Sequence, residues 1–427
     1  MPAKTPREIA TRILREWAQG KRPAEALLGE GLPGLSAADR GLCQELVLGV
    51  IRRQATLDWL IERKTDGRRQ QELVRILLRL GLYQIFFLDR IPSHAAVNET
   101  VNLARAADLA AQSGFINAVL RNCLREEDDW RAKLDELRQT QPAIGHSHPH
   151  WLVQRWADRW ADYDKLLAWN NLPAPVYARR NTLRATTEEL EAQWQAEGVT
   201  ATPAPQSWLG DGLMWRLETN GSPASLPSFA EGKFYVQDPS TLAAVQELDP
   251  RTGENILDLC AAPGGKTTAI AQRMQDEGNL LATDIDDARL KRLRENLDRL
   301  GITCVQPKPL HGIDLKRAGP FDRILVDAPC TNTGVMRRRV EVRWRLRAED
   351  IPAMARSQAD LLSRAAARLK PGGVLVYSTC SLETEENEAV VEAFLKQRKD
   401  FTQETARTLT PMADEVDGAF VARLRRA

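Results

Sequence analysis

Three observations divide this 427-residue chain into an all-α bundle, a small α+β module and a doubly wound α/β domain with a mainly parallel sheet. Apolar residues recur at helical spacing through the first third. Pro, Gly and Ser dominate the stretch before Pro227. From residue 234 onward, short apolar runs alternate with helical patterns, as strands joined by crossover helices do. The boundaries are expected at 1–145, 146–230 and 231–427.

The elements follow in order. Ile9, Ile13, Leu14 and Trp17 share one helical face, and Gly20 is placed to stop that helix. Ser36 with Asp39 reads as a capping box before the stripe Leu42, Leu46, Val47, Val50 and Ile51. Residues 71–88 are apolar on more than one face, which marks a central helix. Helices over 94–111 and 114–125 and a charged helix over 126–140 complete the bundle. His146-Ser147-His148-Pro149-His150 reads as a polar linker; three close histidines raise metal binding, but no acidic or thiol ligand is near. In the module, a helix from Trp151, a strand over Val176–Thr182 and a helix over 186–197 are expected. In the last domain, strands are expected over 255–260, 279–284, 302–306, 321–327 and 374–379. Helices are expected over 266–276, 286–300, 353–370 and 383–397.

Composition excludes several classes. An apolar fraction of 43% supports full cores, and a formal charge of +1 excludes a globally basic nucleic-acid binder. No apolar run approaches the roughly 18 residues of a membrane span. The start, Met1 to Thr5, leads into an amphipathic helix without the apolar core of a signal peptide. Six scattered cysteines and five histidines, with no CxxC pair, argue against a disulfide framework or a metal site. The expectations are a reducing cytoplasm, no membrane, no metal and a monomer.

Chemistry concentrates at strand ends. Cys330 closes the apolar run from Ile324, and Cys380 closes the run from Val374. Ile256-Leu257-Asp258-Leu259 runs into Cys260-Ala261-Ala262-Pro263-Gly264-Gly265-Lys266-Thr267. Ligands of open α/β sheets sit at the carboxyl ends of the strands, so neighbouring runs would bring two thiols and a cofactor loop into one crevice. The loop is neither a P-loop, whose first glycine would stand where Cys260 is, nor GxGxxG. Asp284, about 20 residues after the loop, suits a ribose diol and hence an adenosine-containing cofactor; the bland alternative is an ordinary capped strand–helix turn. Packing is the favoured role for Cys43, Cys123 and Cys304, and Cys260 reads as structural rather than reactive. Arg337, Arg338, Arg339, Arg343, Arg345 and Arg347, with Trp344 among them, read as a solvated face or, more favourably, as contacts to nucleic-acid phosphates.

Together the segment 260–267, Asp284, Asp327-Ala328-Pro329-Cys330 with Thr333-Gly334, and Ser378-Thr379-Cys380-Ser381 before Glu385-Glu386-Asn387 resemble the RNA cytosine-5 methyltransferases. Val236 to Ser240 resembles that family's lead-in, and Gly418 to Arg423 its terminal strand. Asp39-Arg40, Leu46 to Gly49, Ile91 to Glu99 and Gly114 to Arg121 look like a NusB-type RNA-binding bundle, the layout of the bacterial RsmB (Sun) type. The resemblance implies a Rossmann-like domain that moves a methyl group from S-adenosylmethionine to C5 of a cytosine in 16S rRNA, cytosine 967. It implies Cys380 as the nucleophile adding to C6, Asp327 on the cytosine N3/N4 edge, and Cys330 in release. It also implies Cys260 to Lys266, Asp284 and Asp327 around the cofactor, and RNA contacts at Arg337, Arg338 and Arg339. Two departures stand out. The stretch Gln306 to Gly312 lacks the family's acid near adenine, with Asp314 a few residues late. Arg337-Arg338 run into Arg339-Val340-Glu341 where the family carries His-Pro-Asp. The same chemistry on tRNA, or a non-catalytic NusB-like assembly factor, are the alternatives.

Overall fold

The computed structural model describes residues 5–20, 22–107, 109–219, 221–312 and 318–427. Asp314 lies outside the described residues. The chain forms two compact units: residues up to Leu172 together with Arg339–Arg345, and Pro173–Arg338 together with Leu346–Ala427.

The first unit is helical. Thr5 opens Pro6–Ala18: its hydroxyl accepts the Glu8 N–H at 3.2 Å, and the Glu8 carboxylate accepts the Thr5 N–H at 2.7 Å. Ser36 likewise accepts the Asp39 N–H at the start of Ala37–Arg52, whose Leu46, Val47, Val50 and Ile51 are buried. Glu72–Phe87 is the central helix, with Val74, Leu77, Leu80, Leu82 and Ile85 buried around its circumference. Ser93–Ala106, Ala110–Arg125 and Glu127–Thr140 pack around it.

The expected linker is instead core. Ser147 and His148 are 0% and 2% exposed. The Ser147 hydroxyl accepts the Ala55 N–H at 2.9 Å, and His148 Nδ1 lies 2.8 Å from the His146 carbonyl. Burial pushes the His148 imidazole well below its ordinary pKa and His146 down to about 4, so both are neutral at pH 7. Among the described residues, no group of three or more His, Cys, Asp or Glu is placed to hold a metal ion.

Part of the arginine run is also interior. Val340 joins the helical core, and the Trp344 indole N–H donates to the Ile51 carbonyl at 2.7 Å. Arg343 is 0% exposed and donates to the carbonyls of Arg52, Ser147 and Asn170 and to Asn171 Oδ1, all within 3.2 Å. Arg343 is therefore a structural staple and contacts no RNA. Arg343→Ala strands four buried acceptors and should lower unfolding free energy by about 3 kcal/mol or more, read by denaturant titration. A change below about 1 kcal/mol, within the range of ordinary surface substitutions, would refute the staple.

The second unit holds two sheets. β1 (Val176–Arg180), β2 (Thr200–Pro203), β3 (Met214–Glu218) and β4 (Phe234–Val236) form an antiparallel sheet in the order β2-β3-β1-β4. Its helix, Thr187–Ala196, opens with a Thr186/Glu189 capping box and buries Trp194 edge-on against Trp215 and Phe234.

The larger sheet contains β5 (Asn255–Asp258), β6 (Asn279–Asp284), β7 (Val305–Pro309), β8 (Phe321–Asp327), β9 (Leu369–Thr379), β10 (Phe401–Leu409) and β11 (Ala419–Arg426), in the order β10-β11-β9-β8-β5-β6-β7. β5 to β9 run parallel, and β11 pairs antiparallel with β9 and β10. Both faces are covered: Val374 and Val376 enter one core, Leu375 and Tyr377 the other. Double burial is why these strands read as unbroken apolar runs.

Three expectations shift. β7 starts at Val305, not residue 302, because the Asp276 carboxylate takes the Thr303 and Cys304 N–H groups before the ladder begins. β10 was not anticipated; only its end residues Phe401 and Leu409 are buried, so it carries no period-2 signal. The helix expected over 383–397 is a turn, Thr384–Glu386, then Glu388–Gln397, because Asn387 turns aside to bond Thr379 and Ser381.

Candidate active site

The strand order reverses beside β5, which lies between β6 and β8. In open α/β sheets such a switch point opens a crevice at the carboxyl ends. Asp258, Asp284, Asp327 and Cys380 stand at or next to the ends of β5, β6, β8 and β9.

The glycine loop leads from β5 into the helix Gly265–Arg273. Gly264 has φ +109°, and a Cβ there would stand 2.5 Å from Leu293 Cδ1, so only glycine fits. From β1, the buried Arg179 donates to Thr268 Oγ1 at 2.7 Å and to the Gly265 carbonyl at 3.3 Å, bracing the loop from behind. Sequence reasoning missed this brace, since the two partners lie 86 and 89 residues from Arg179.

Asp284 is 2% exposed; one oxygen accepts the Ala262 N–H at 3.2 Å and the other the Asp286 N–H at 3.1 Å. Arg289, also missed, reaches back so that Nη1 lies 3.4 Å from the Asp284 carboxylate and Nη2 donates to the Ala262 carbonyl. Cys260 is half-buried on the core of the sheet's second face, and burial first, then the nearby carboxylates, push its thiol up to about 12. Cys43 and Cys123 are buried in the helical core, and Cys304 packs against the sheet.

Asp258 is fully buried. Oδ2 accepts the Thr267 hydroxyl at 2.7 Å, and Oδ1 has no hydrogen-bond partner among the described residues. Burial, with Asp327 and Asp284 adding to it, pushes its carboxyl up to about 7 from 3.8. A carboxyl with a raised folded pKa favours the folded state fully below 3.8 and loses that contribution as pH rises through about 7. Asp258→Asn cannot titrate, so the wild type should lose on the order of 2–4 kcal/mol relative to it between about pH 4 and pH 8. Parallel stability–pH curves for the two proteins would show that Asp258 titrates normally.

Next to this carboxyl lies the reactive end of the crevice. Lys266 Nζ donates to Asp327 Oδ2 at 2.7 Å, and the Ser378 hydroxyl donates to Asp327 Oδ1 at 2.8 Å. Burial works against the Lys266 ammonium, but the Asp327 charge and hydrogen bond hold its pKa above the ordinary value. The ammonium also attracts negative charge on the Cys380 sulfur. Cys330 Sγ and Cys380 Sγ are 3.1 Å apart, and Cys380 Sγ lies 3.3 Å from Asn332 Oδ1. The hydrogen bond that Cys330 shares with Cys380 first, then burial, push the Cys330 thiol well above its ordinary pKa. Either sulfur can donate to the other, and the Lys266 charge favours negative charge on Cys380.

Arg337 and Arg338 lie elsewhere than expected. Arg337 is 4% exposed, with Nε 3.9 Å from Asp417. Arg338 bridges Asp238 at 2.8 Å and Asp417 at 2.5 Å, so its charge is neutralised internally. Arg337 is corrected from an RNA contact to a buried tie within the unit, and Arg338 is held there by two carboxylates. Arg339 is exposed.

Three family models match the chain: "NusB family" over residues 4–125, an RsmF/B-like ferredoxin-like domain over 148–215, and "16S rRNA methyltransferase RsmB/F" over 245–425. A probable ribosomal RNA small subunit methyltransferase B of Synechocystis is 37% identical over 99% of both chains. The chain belongs to the ribosomal RNA small subunit methyltransferase B family. The Vibrio cholerae member is 37% identical over 91% of this chain and 90% of its own. Among solved structures, PH0851 covers 99% of both chains with 26% identity and a TM-score of 0.79. A methyltransferase homologue from Pyrococcus horikoshii covers 69% of this chain and 99% of its own, with 30% identity and a TM-score of 0.58.

The helical bundle, the ferredoxin-like module and the Rossmann-like methyltransferase domain are thus those of this family. Its cofactor is S-adenosylmethionine, a cation with a ribose diol, and the crevice suits it: Asp258 Oδ1 is a buried acceptor without a partner among the described residues, beside the carboxylate of Asp284. Among the described residues, no helix is long and apolar enough to cross a membrane.

Proposed function

We propose that this family member methylates C5 of a cytosine in 16S rRNA, cytosine 967 in the reading above, through a covalent bond between Cys380 and C6. The observation that carries this is the pair of thiols 3.1 Å apart beside the Lys266–Asp327 ion pair. Asp284 is assigned to the cofactor's ribose, and the loop from Cys260 to Lys266, with Asp258, to its methionine end. Ile285, 73% exposed directly after Asp284, offers an apolar face for adenine, a contact that needs no acid within 306–312. S-adenosylmethionine supplies an electrophilic methyl group on a sulfonium sulfur.

C5 of cytosine is a weak nucleophile. A thiolate adding across C6 makes C5 enamine-like, and cysteine suits this because thiolate is nucleophilic at a small ionised fraction. Lys266 favours the anionic form of Cys380, and Asp327, held between Lys266 and Ser378, is aimed by both to meet the N3/N4 edge. After methylation a solvent water takes the C5 proton, the C5–H electron pair restores the C5–C6 double bond, and the Cys380–C6 bond breaks, with its electron pair going to the Cys380 sulfur as thiolate. Cys330, holding its proton, donates a hydrogen bond to the departing Cys380 thiolate. The base must first leave its stack, at a cost of a few kcal/mol. Arg339 is the member of the arginine run assigned to phosphate contact.

Bisulfite sequencing of RNA from cells with and without the gene tests the reading. One gene-dependent protected cytosine in 16S rRNA is expected. Protection confined to tRNA would move the substrate, and no protected cytosine in any RNA would overturn the chemistry.

A further inference from the structure

We propose that Glu386 is a positioning residue that clamps the two cysteine-bearing loops to each other, so that Cys330 and Cys380 act as one pair. The proposal rests on the cysteine-adduct reading above and adds what holds the two sulfurs together.

Glu386 touches neither sulfur and is 0% exposed. Oε2 accepts the Thr331 backbone N–H at 2.9 Å and Gln358 Nε2 at 2.9 Å. Oε1 accepts the Ser381 hydroxyl at 2.6 Å and the Thr331 hydroxyl. Thr331 directly follows Cys330, and Ser381 directly follows Cys380. One carboxylate thus receives donors from both loops, each one residue away from a thiol. Gln358 carries the clamp further, since its amide also donates to the Pro329 carbonyl at 2.9 Å. The Cys330 loop is held on either side of the cysteine.

Burial of a carboxylate is costly unless its lone pairs are satisfied. Here four donors converge, and no cation is paired with it among the described residues. The site demands a group that only accepts. A glutamine would turn an N–H₂ toward donors and lose at least one of the four bonds. The negative charge has a second consequence: after the Cys380 hydrogen bond, burial and the Cys380 charge, it helps keep the Cys330 thiol protonated. The clamp therefore bears on the spacing of the pair and on where its proton sits.

The test uses the full chain carrying Glu386→Gln and Glu386→Asp. Dibromobimane, a reagent that bridges adjacent thiols, is applied to the protein alone, and the Cys330–Cys380 bridge is quantified by peptide mass spectrometry. Glu386→Gln should form the bridge about 10–100-fold more slowly, with Glu386→Asp recovering part of the rate. On RNA, Glu386→Gln should raise the ratio of covalent adduct to released product, while the Kd for S-adenosylmethionine stays within about twofold, since the cofactor loop is separate from the clamp. Wild-type bridging and an unchanged adduct ratio in Glu386→Gln would overturn the proposal. So would cofactor affinity and Tm falling in step with activity in both variants, which would make the role merely structural. Bridging needs no RNA, so its loss in Glu386→Gln while the wild type modifies no RNA would uphold the clamp and reject the methylation reading.

Discussion

Cys380→Ala should abolish methyl transfer to RNA, by at least ~10³-fold in kcat, while S-adenosylmethionine still binds. The separation of effects follows from position. Cys380 directly follows β9, whereas the cofactor loop follows β5 and Asp284 ends β6, and the sulfur is hydrogen-bonded to Cys330 and Asn332. Removing one sulfur leaves the Lys266–Asp327 pair and the Asp284 contacts in place. Calorimetry should return a Kd within about twofold of the wild type, and a tritium-transfer assay should return background, because only the covalent step is lost. Transfer at more than about a tenth of the wild-type rate would remove Cys380 from the nucleophile role.

Cys330→Ala should do the opposite to the intermediate. Addition and methylation proceed, but release loses the thiol that stabilises the departing Cys380 sulfur 3.1 Å away. A protein–RNA species resistant to denaturation should then accumulate toward stoichiometry, seen as a shifted band on denaturing gels. Turnover should fall by about 10²–10⁴-fold, the range expected when a proton donor or acceptor is removed. The double variant Cys330→Ala/Cys380→Ala should form no adduct, which identifies the attacking sulfur. Normal turnover without any adduct in Cys330→Ala would leave Cys330 a packing residue.

Much of this arrangement was readable because it is local. The glycine loop, its helix and the strand before it lie within 19 consecutive residues, Asn255 to Arg273, and alternation of apolar runs with amphipathic helices is a short-range pattern. The elements that escaped were those whose local signal is absent or misleading. β10 is an edge strand, polar on both sides, and resembles a loop. His146 to His148 are polar in sequence but interior in fact, because their polar atoms are satisfied by Ala55, Asn170 and Asn171. The arginine run is basic in sequence, but Arg338 meets Asp238 and Asp417 and Arg343 meets four buried oxygens, all at least 79 residues away. A charge run signals a surface only when no distant acceptor folds onto it.

The sequence by itself determined the fold class, the three kinds of domain and which residues stand at the strand ends, because helical and strand periodicities and turn chemistry act over a few residues. Only the tertiary structure decided that the thiols of Cys330 and Cys380, 50 residues apart, lie 3.1 Å from each other, and that Glu386 ties their two loops together. Those facts depend on the parallel pairing of β8 with β9 and on a buried carboxylate that collects donors from both chain segments. Sheet register and convergent hydrogen bonding are properties of packed partners remote in the chain, and no window of neighbouring residues encodes them.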